Sequence, residues 1–462
     1  MGGSKERQFA TVMITRMFEF DTDTLRSIAT DAIAIARELG ASAAAADVSE
    51  GSGLMVNVRR GQVETIEQTR DKGLGITAYL GQRRGSASTS DFSPNSLRQA
   101  VQAAIDIARH TGEDDCAGLP DADTLATEFV DFDVFHPWDI SADQAIALAK
   151  RVEGAALSTS PLIGNSDGAS VNVSHGQYVT ANSLGFIGGS PYSRHSMGCS
   201  PIAGSGDSMQ RDDWYSSAVS PLRLAEPESI GRYAAQRALA RLKPRRLKTR
   251  KVPVLFEAPL ACGLLGHFVQ AASGSSLYRR SSFLVDRLGH SLFPKHVDLL
   301  EDPFVPGEMG SGSFDSEGVA TKRRTVVNGG RLDGYFLSTY SARKLTMKTT
   351  GNAGGSHNLA LTSRLTRQGD DLPAMLKRLG TGLLVTDLMG QGVNYVTGDY
   401  SRGASGFWVE KGVIAYPVEE ITIAGNLLEM FANIVAVGND TITRGTKRTG
   451  SILLEKMSIA GA

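Results

Sequence analysis

No histidine in this 462-residue chain is followed by glutamate. That excludes the H-E-x-x-H zincin motif, which sets two zinc ligands and a general base on one helix face. The phosphate-cradling G-x-x-x-x-G-K-[ST] loop is missing too, and Gly380-Thr381-Gly382-Leu383-Leu384-Val385 matches only part of a dinucleotide fingerprint. Cysteine is scarce: Cys116, Cys199 and Cys262 stand far apart with no C-x-x-C pair. A disulfide framework and a zinc ribbon are thereby excluded, and reduced thiols in the cytosol fit best. No charge sign is in excess, since 48 basic residues against 49 acidic ones leave a net charge of -1. This balance argues against broad capture of nucleic acid or an anionic membrane. Long apolar runs are absent, Val12-Met13-Ile14 being too short for a signal-peptide core or a span, so a soluble cytoplasmic protein is expected. Residues 1–16 read as a disordered leader, or as sequence upstream of a start at Met17.

What is present points to an α+β protein of several packed units, because the chain is too long for one ordinary core. Leu25, Ile28, Ala32, Ile35 and Leu39 recur at steps of three and four, giving a helix that stops at Gly40. Four β-prone pieces follow, at 43–48, 54–58, 62–69 and 74–80. Turn-rich Ser52-Gly53, Arg60-Gly61, Asp71-Lys72-Gly73 and Gly81 separate and bound them as an antiparallel meander. Ser93-Pro94 opens a second helix, and the first unit takes in 20–120. The acidic stretch 111–139, with Pro120 and Pro137, reads as a connection crossing the surface. A second unit, 137–243, repeats the layout: a helix with a Ser141/Gln144 capping box, strands near 170–174, 177–183 and 194–202, and a closing helix from Pro227. The basic run 243–251 reads as a solvated linker, since no aromatics interleave for base stacking. Beyond it, 250–462 is expected to be a mainly antiparallel β-rich domain with helices near 259–272 and 372–379, its glycines suiting strands that bend around a space.

Short motifs carry little chemistry by themselves. Gly164-Asn165-Ser166-Asp167-Gly168 has the G-x-S-x-G spacing, yet a helix precedes it and strand-like sequence follows, so it reads as a polar loop rather than a nucleophile elbow. Cys262 and His267 share one helix, where a spacing of five turns side chains about 140° apart, so joint metal binding would need a π-bulge. Read alone, they are a buried thiol and a hydrogen-bonded imidazole. Residues 338–358 gather Tyr340, Arg343, Lys344, Asn352 and His357. The two cations are suited to a carboxylate or to peptide carbonyls, and equally to a capped surface turn. Arg402 sits among glycines beside Phe407 and Trp408, which read as core.

Several blocks together resemble the TldE/PmbA branch of the TldD/PmbA family. They are Gly266-His267 through Tyr278-Arg279-Arg280-Ser281-Ser282-Phe283, FDSEGV at 314–319, STYSARKL at 338–345, TGNAGG at 350–355, LMGQGV at 388–393, TGDYSRGASGFWVE at 397–410 and ITIAGNL at 421–427. KGLGITAYL at 72–80 and GSAS at 85–88 match the family's first domain, so the likeness runs from about Asp23 to near the C-terminus. The catalytic TldD-like subunit of that family bears H-E-x-x-x-H on a helix and a further cysteine ligand near its C-terminus. Carried over, Cys262 stands at the first histidine, Gly263 at the glutamate and His267 at the second histidine, and 444–456 holds no cysteine. A hydrolytic zinc site needs about three protein ligands and a base, and Gly263 has no side chain to serve as one.

The resemblance therefore implies a scaffold without its own metal chemistry, with zinc expected in a TldD-like partner and none in this chain. It implies a hetero-oligomer enclosing a chamber for unfolded peptides, with roles in maturing peptide precursors and degrading small unstable proteins; pairing with itself when alone stays open. Extended peptides would add to a sheet edge by backbone hydrogen bonds. Tyr340, Arg343, Lys344, Asn352, His357 and Arg402 are the candidate peptide-binding residues, and neither nucleic acid nor membrane is expected. Two alternatives stand beside this reading. One is an autonomous metallopeptidase using Cys262, His267 and one of His290, His296 or His357, with Glu301, Glu308 or Glu317 as base. The other is a peptide-binding regulator independent of any protease.

Overall fold

The computed structural model describes residues 17–461, so the expected leader lies outside the described residues. Helix α1 (Thr22–Glu38) starts where the Asp21 carboxylate accepts the Thr24 N–H at 2.7 Å, and it buries Leu25, Ile28, Ala29, Ala32, Ile33 and Ala36. Strands β1 (Ala43–Arg59) and β2 (Gln62–Leu80) then form one long hairpin, turned by Arg60 and Gly61, both at positive φ. The turns expected at Ser52-Gly53 and Asp71-Lys72-Gly73 do not form: Gly53 lies opposite Thr69 and Gly51 opposite Asp71 within continuous strands. Strand β3 (Arg83–Thr89) pairs with the far end of β2, and α2 (Pro94–His110) crosses so close above it that Gly85 has no room for a Cβ against the backbone of Ala104 and Ala108.

The connection 111–139 is mostly irregular and does not simply cross the surface. Leu125 bridges to Val319, and Phe129 meets Phe186 and Phe314 edge-on or tilted, so it docks between the N- and C-terminal halves. Helix α3 (Ala142–Leu157) begins with the expected capping box, both hydrogen bonds present. Strands β4 (Ile163–Asn182) and β5 (Ile187–Ala203) follow, then β6 (Gln210–Arg211), β7 (Trp214–Ala218) and α4 (Pro227–Ala240). Here the polar-loop expectation fails. Residues 164–168 open β4 through a bulge, with Ser166 fully buried and donating to Glu153, so its hydroxyl is not presented to solvent.

β1 also pairs with β4, which joins both helix-flanked units into one seven-stranded sheet, β3-β2-β1-β4-β5-β6 with β7 on β5. Ala44, Ala46 and Val48 pack under α1 and α2, while Val56 and Val58 pack under α3 and α4. All five have even numbers and so project from one face, whose two ends are covered by two helix pairs. Between them lies buried Glu50, which accepts from Gln177 Nε2 at 3.0 Å and from the Phe20 N–H at 3.2 Å.

The C-terminal part contains β8 (Arg250–Phe256), α5 (Ala258–Ala271), α6 (Gly274–Tyr278), β9 (Val297–Glu301), β10 (Arg324–Asn328), β11 (Arg331–Leu332) and α7 (Thr339–Lys344). After these come β12 (Leu359–Ser363), α8 (Leu372–Leu379), β13 (Gly382–Met389), β14 (Asp399–Glu410), β15 (Val413–Asn426), α9 (Leu427–Ala432), β16 (Ile434–Val437), β17 (Ile442–Arg444), β18 (Lys447–Thr449) and β19 (Ile452–Ala460). One sheet runs β11-β10-β9-β12-β18-β17 and the other β15-β14-β13-β8-β19-β16; β15 also pairs with β19, closing a five-stranded ring. Most neighbours are antiparallel, but β8–β13 and β12–β18 are parallel. Leu264, Leu265 and Phe268 of α5 belong to the large core that includes residues of both sheets. The run 243–251 is exposed except at Pro244 and Leu247, and its cations rest on the C-terminal surface: Arg245 lies 4.4 Å over Tyr416, Arg250 lies 5.1 Å over Trp408, and Arg246 pairs with Glu420. Among the described residues no helix is long and apolar enough to cross a membrane.

Candidate functional site

Strand β8 ends at Phe256 and delivers Glu257 to the N-cap of α5, where its side chain makes no capping bond. The carboxylate turns away to Arg237 of α4, accepting from Nη1 at 2.7 Å. Arg237 also donates to Asp212 (3.1 Å) and to the Thr386 carbonyl (3.3 Å); one turn on, Arg241 donates to Asp212 (3.4 Å), Asp387 (3.1 Å) and Ser405. This network stitches the N-terminal sheet and α4 to β13 and α5. Burial works against the Arg237 charge, but Glu257 and Asp212 outweigh it and push its pKa up. Burial also pushes the Glu257 carboxyl up, with Arg237 opposing.

Above the network opens a cavity of about 520 Å³, lined in part by Trp214, Arg237, Glu257, Cys262, Gly263, Gly266, Arg444 and Lys447. Cys262 and Gly263, two of the three positions expected to correspond to the family's metal motif, therefore face this space. The Cys262 thiol, almost wholly buried, points to the carbonyls of Ile442 (3.6 Å) and Lys447 (3.5 Å), and burial raises its pKa. A Cβ added at Gly263 would meet nothing within 4 Å. His267 is not on the cavity wall. α5 is an uninterrupted α-helix without a π-bulge, so His267 leaves it on another side, its Nδ1 2.8 Å from Tyr395 Oη and its ring edge-on to Tyr400. Burial, then the Arg402 charge, lowers its pKa.

The other expected site residues fall into separate groups. Tyr340 and Lys344 both donate to Asp114 at 2.7 Å, and Arg343 donates to the Leu119 carbonyl (2.8 Å) and Asp121 (2.9 Å), so α7 grips the connection between the two halves. Those bonds hold the Asp114 pKa down at about 2. Asn352 Nδ2 donates to buried Glu301 (2.8 Å), which also accepts from Arg324 (2.6 Å) and from the His357 N–H (2.8 Å). The His357 ring sits between the carbonyls of Gly310 and Gly351. Arg402 reaches the Leu388 carbonyl at 3.4 Å, while its buried Nε has no hydrogen-bond partner among the described residues. Of the alternative ligands and bases, His296 is bound to Ser363 and the Ile434 carbonyl, and Glu317 accepts the Thr339 N–H.

Sequence reading missed Asp212, Trp214, Arg237, Arg241, Glu257, Arg444 and Lys447, which come from β7, α4 and its C-cap, the N-cap of α5, β17, β18 and the link between β6 and β7. One signal was available: Arg237 and Arg241 stand four residues apart at the C-terminal end of α4, a spacing that puts both on one side.

Three family models cover the chain. The PmbA/TldA metallopeptidase domain 1 matches 44–108, the central domain 135–242 and the C-terminal domain 249–461. The chain is 47% identical over 439 residues to metalloprotease PmbA of Escherichia coli O157:H7, covering 94% of this chain and 97% of that one. It is 46% identical over 447 residues to the PmbA homologue of Haemophilus influenzae, covering 97% and 98%. A Bacteroides thetaiotaomicron protein described as a modulator of DNA gyrase superposes with a TM-score of 0.89 at 26% identity, over 96% of this chain and 100% of that one. TldE of Thermococcus kodakarensis, at 19% identity and a TM-score of 0.81 over 94% and 100%, shares the fold. The chain belongs to the PmbA/TldD metallopeptidase family.

That family implies a metal, and the donors at the motif do not suit one. The Cys262 thiol is turned to two carbonyls, Gly263 offers no donor, and the His267 ring is bound to Tyr395. Among the described residues, no group of three or more His, Cys, Asp or Glu side chains is placed to hold an ion.

Proposed function

We propose that this chain is the TldE/PmbA-type, non-catalytic subunit of a TldD/TldE-type zinc metallopeptidase that acts on unfolded peptides in the cytoplasm. It supplies chamber wall and substrate contacts, while a TldD-like partner carries the zinc and the base. The observation that carries this reading is the divergence of Cys262 and His267 on an unbroken helix with glycine at the base position. A water-splitting centre needs convergent ligands and a proton acceptor, and this helix presents neither. Its substrates are precursors of modified peptides and small unstable proteins, and its working assembly is the hetero-oligomer.

The test is to co-purify the chain with a TldD-like homologue and assay each alone and both together on an unstructured peptide. Cleavage is expected only in the mixture, and chelator should abolish it. Metal-dependent hydrolysis by this chain alone would overturn the assignment.

A further inference from the structure

The cavity beside Cys262 holds polar groups that lack partners, and they differ at its two ends. At the end formed by α5 and the β17–β18 hairpin, Lys447 extends along Gly266, half-buried, with no carboxylate or carbonyl partner among the described residues. Arg444 beside it lies 4.0 Å over Tyr215 and 4.7 Å over Trp214, and its one hydrogen bond is a 3.4 Å contact with the Tyr215 carbonyl. Two cations thus face one space, and neither has an ion-pair partner among the described residues. At the other end Glu257, 7% exposed, gives Oε1 to Arg237 and leaves Oε2 buried and unpartnered, and the Thr386 hydroxyl is likewise buried without a partner. Leaving such a group unsatisfied carries the cost of its lost hydration, so a ligand that supplies the missing bonds is favoured. Of the other acids here, Asp212 and Asp387 are engaged by Arg237 and Arg241, and Asp213, whose carboxyl burial pushes up, pairs with neither Lys447 nor Arg444 among the described residues.

We propose that this cavity is a subsite for the C-terminal end of an unfolded peptide: Lys447 and Arg444 take the α-carboxylate, and Glu257 Oε2 and Thr386 Oγ1 take the first backbone groups behind it. A peptide end supplies both what is missing at one end, an anion, and what is missing at the other, an amide N–H for an unused acceptor. An isolated inorganic anion would satisfy only the first. The space, about 520 Å³, suits one or two residues, and side-chain identity is left open because the contacts fall on atoms common to all peptides. The inference deepens the reading of this chain as a peptide-handling subunit and rests on it: the wall where the family motif has lost its donors becomes a place to hold a peptide end.

Calorimetry on the purified full-length chain tests this, using one unstructured ten-residue peptide in three forms: free at both ends, amidated at the C-terminus, and acetylated at the N-terminus. Amidation should weaken binding by roughly tenfold or more, the scale of one lost charge-assisted contact, and acetylation should leave it unchanged. Lys447→Met should bring the free peptide down to the amide's affinity, and Lys447→Arg should restore the preference. If circular dichroism shows that Lys447→Met is unfolded, Arg444→Gln takes its place. Equal binding of acid and amide, no binding of any form, loss on acetylation instead, or a preference that survives in both neutral variants would each overturn the proposal. Binding is read without partner or cleavage. A chain that never supports proteolysis can therefore still pass, and one that supports it can still fail.

Discussion

Arg237 on α4 and Glu257 at the start of α5 form an ion pair of 2.7 Å, with about a tenth of either side chain exposed, which locks the N-terminal sheet to the C-terminal domain. Removing one member of such a pair strands the other charge in a dry site, a loss of about 3–5 kcal/mol. Arg237→Met should therefore lower the thermal midpoint by several degrees, and it strips Asp212 of one of its two cations as well. Glu257→Gln should cost less, because the amide oxygen can still accept from Arg237 and its NH₂ can donate into the cavity. Differential scanning calorimetry of both variants checks the order.

Acid should weaken the N-terminal sheet through His175. Its ring lies 5.3 Å from that of His195, its Nε2 accepts the Trp138 N–H at 3.0 Å, and burial, then the His195 charge, lowers its pKa to about 4. A histidine depressed in the folded state leaves the unfolded chain binding more protons between its two pKa values. Stability is therefore complete above the unfolded value near 6.5 and is lost as pH falls toward 4. Between pH 7 and pH 5 the loss from this one group is about 2 kcal/mol. His175→Gln keeps an acceptor for Trp138 and should flatten that part of the profile in melts at pH 7, 6 and 5. An unchanged slope would remove His175 as the cause.

The helices could be read because their signals are local. Ser93-Pro94 and the Ser141/Gln144 box sit at caps, and the apolar steps of α1 and α2 repeat as a lone helix requires. The long strands read as fragments in sequence because Ser52-Gly53 and Asp71-Lys72-Gly73 carry turn chemistry that pairing on both sides of β1 overrides. Glycine at 51 and 53 lies in extended, paired strand rather than in a bend, opposite Asp71 and Thr69. That Cys262 and His267 of α5 point to different partners follows from helical spacing alone. The rest of the cavity could not be read in this way. Asp212, Glu257, Arg444 and Lys447 lie up to 235 residues apart and become neighbours only when two sheets and a hairpin close around α5.

The connection between the halves should depend on Asp114. Tyr340 and Lys344 converge on its carboxylate, and their hydrogen bonds hold its pKa at about 2. The group is solvated, so its effect should appear as local opening more than as lost global stability. Asp114→Asn is expected to raise hydrogen exchange and proteolytic nicking within 111–139 while the thermal midpoint moves little. Unchanged protection there would mean that Arg343, bound to Leu119 and Asp121, suffices alone.

Two helical glycines should respond in opposite directions to the same substitution. Gly263 faces the cavity with nothing within 4 Å of an added Cβ, and its φ is not positive, so Gly263→Ala removes backbone freedom from the unfolded chain at no steric cost. A gain of about 0.5–1 kcal/mol is expected. Gly231 lies where α4 crosses α3, and a Cβ there would enter the backbone of Val152 and Ala156. The rigid atoms it meets cannot turn aside as a flexible side chain would, so the helices must separate and the packed alanines around Ile230 lose contact. Overpacking of this kind costs about 1–3 kcal/mol, enough to reverse the helix-propensity gain. Paired thermal melts decide it: Gly263→Ala should rise above wild type and Gly231→Ala fall below it. A fall at Gly263 would show that the bare position on α5 is needed for packing, contrary to the open space seen there.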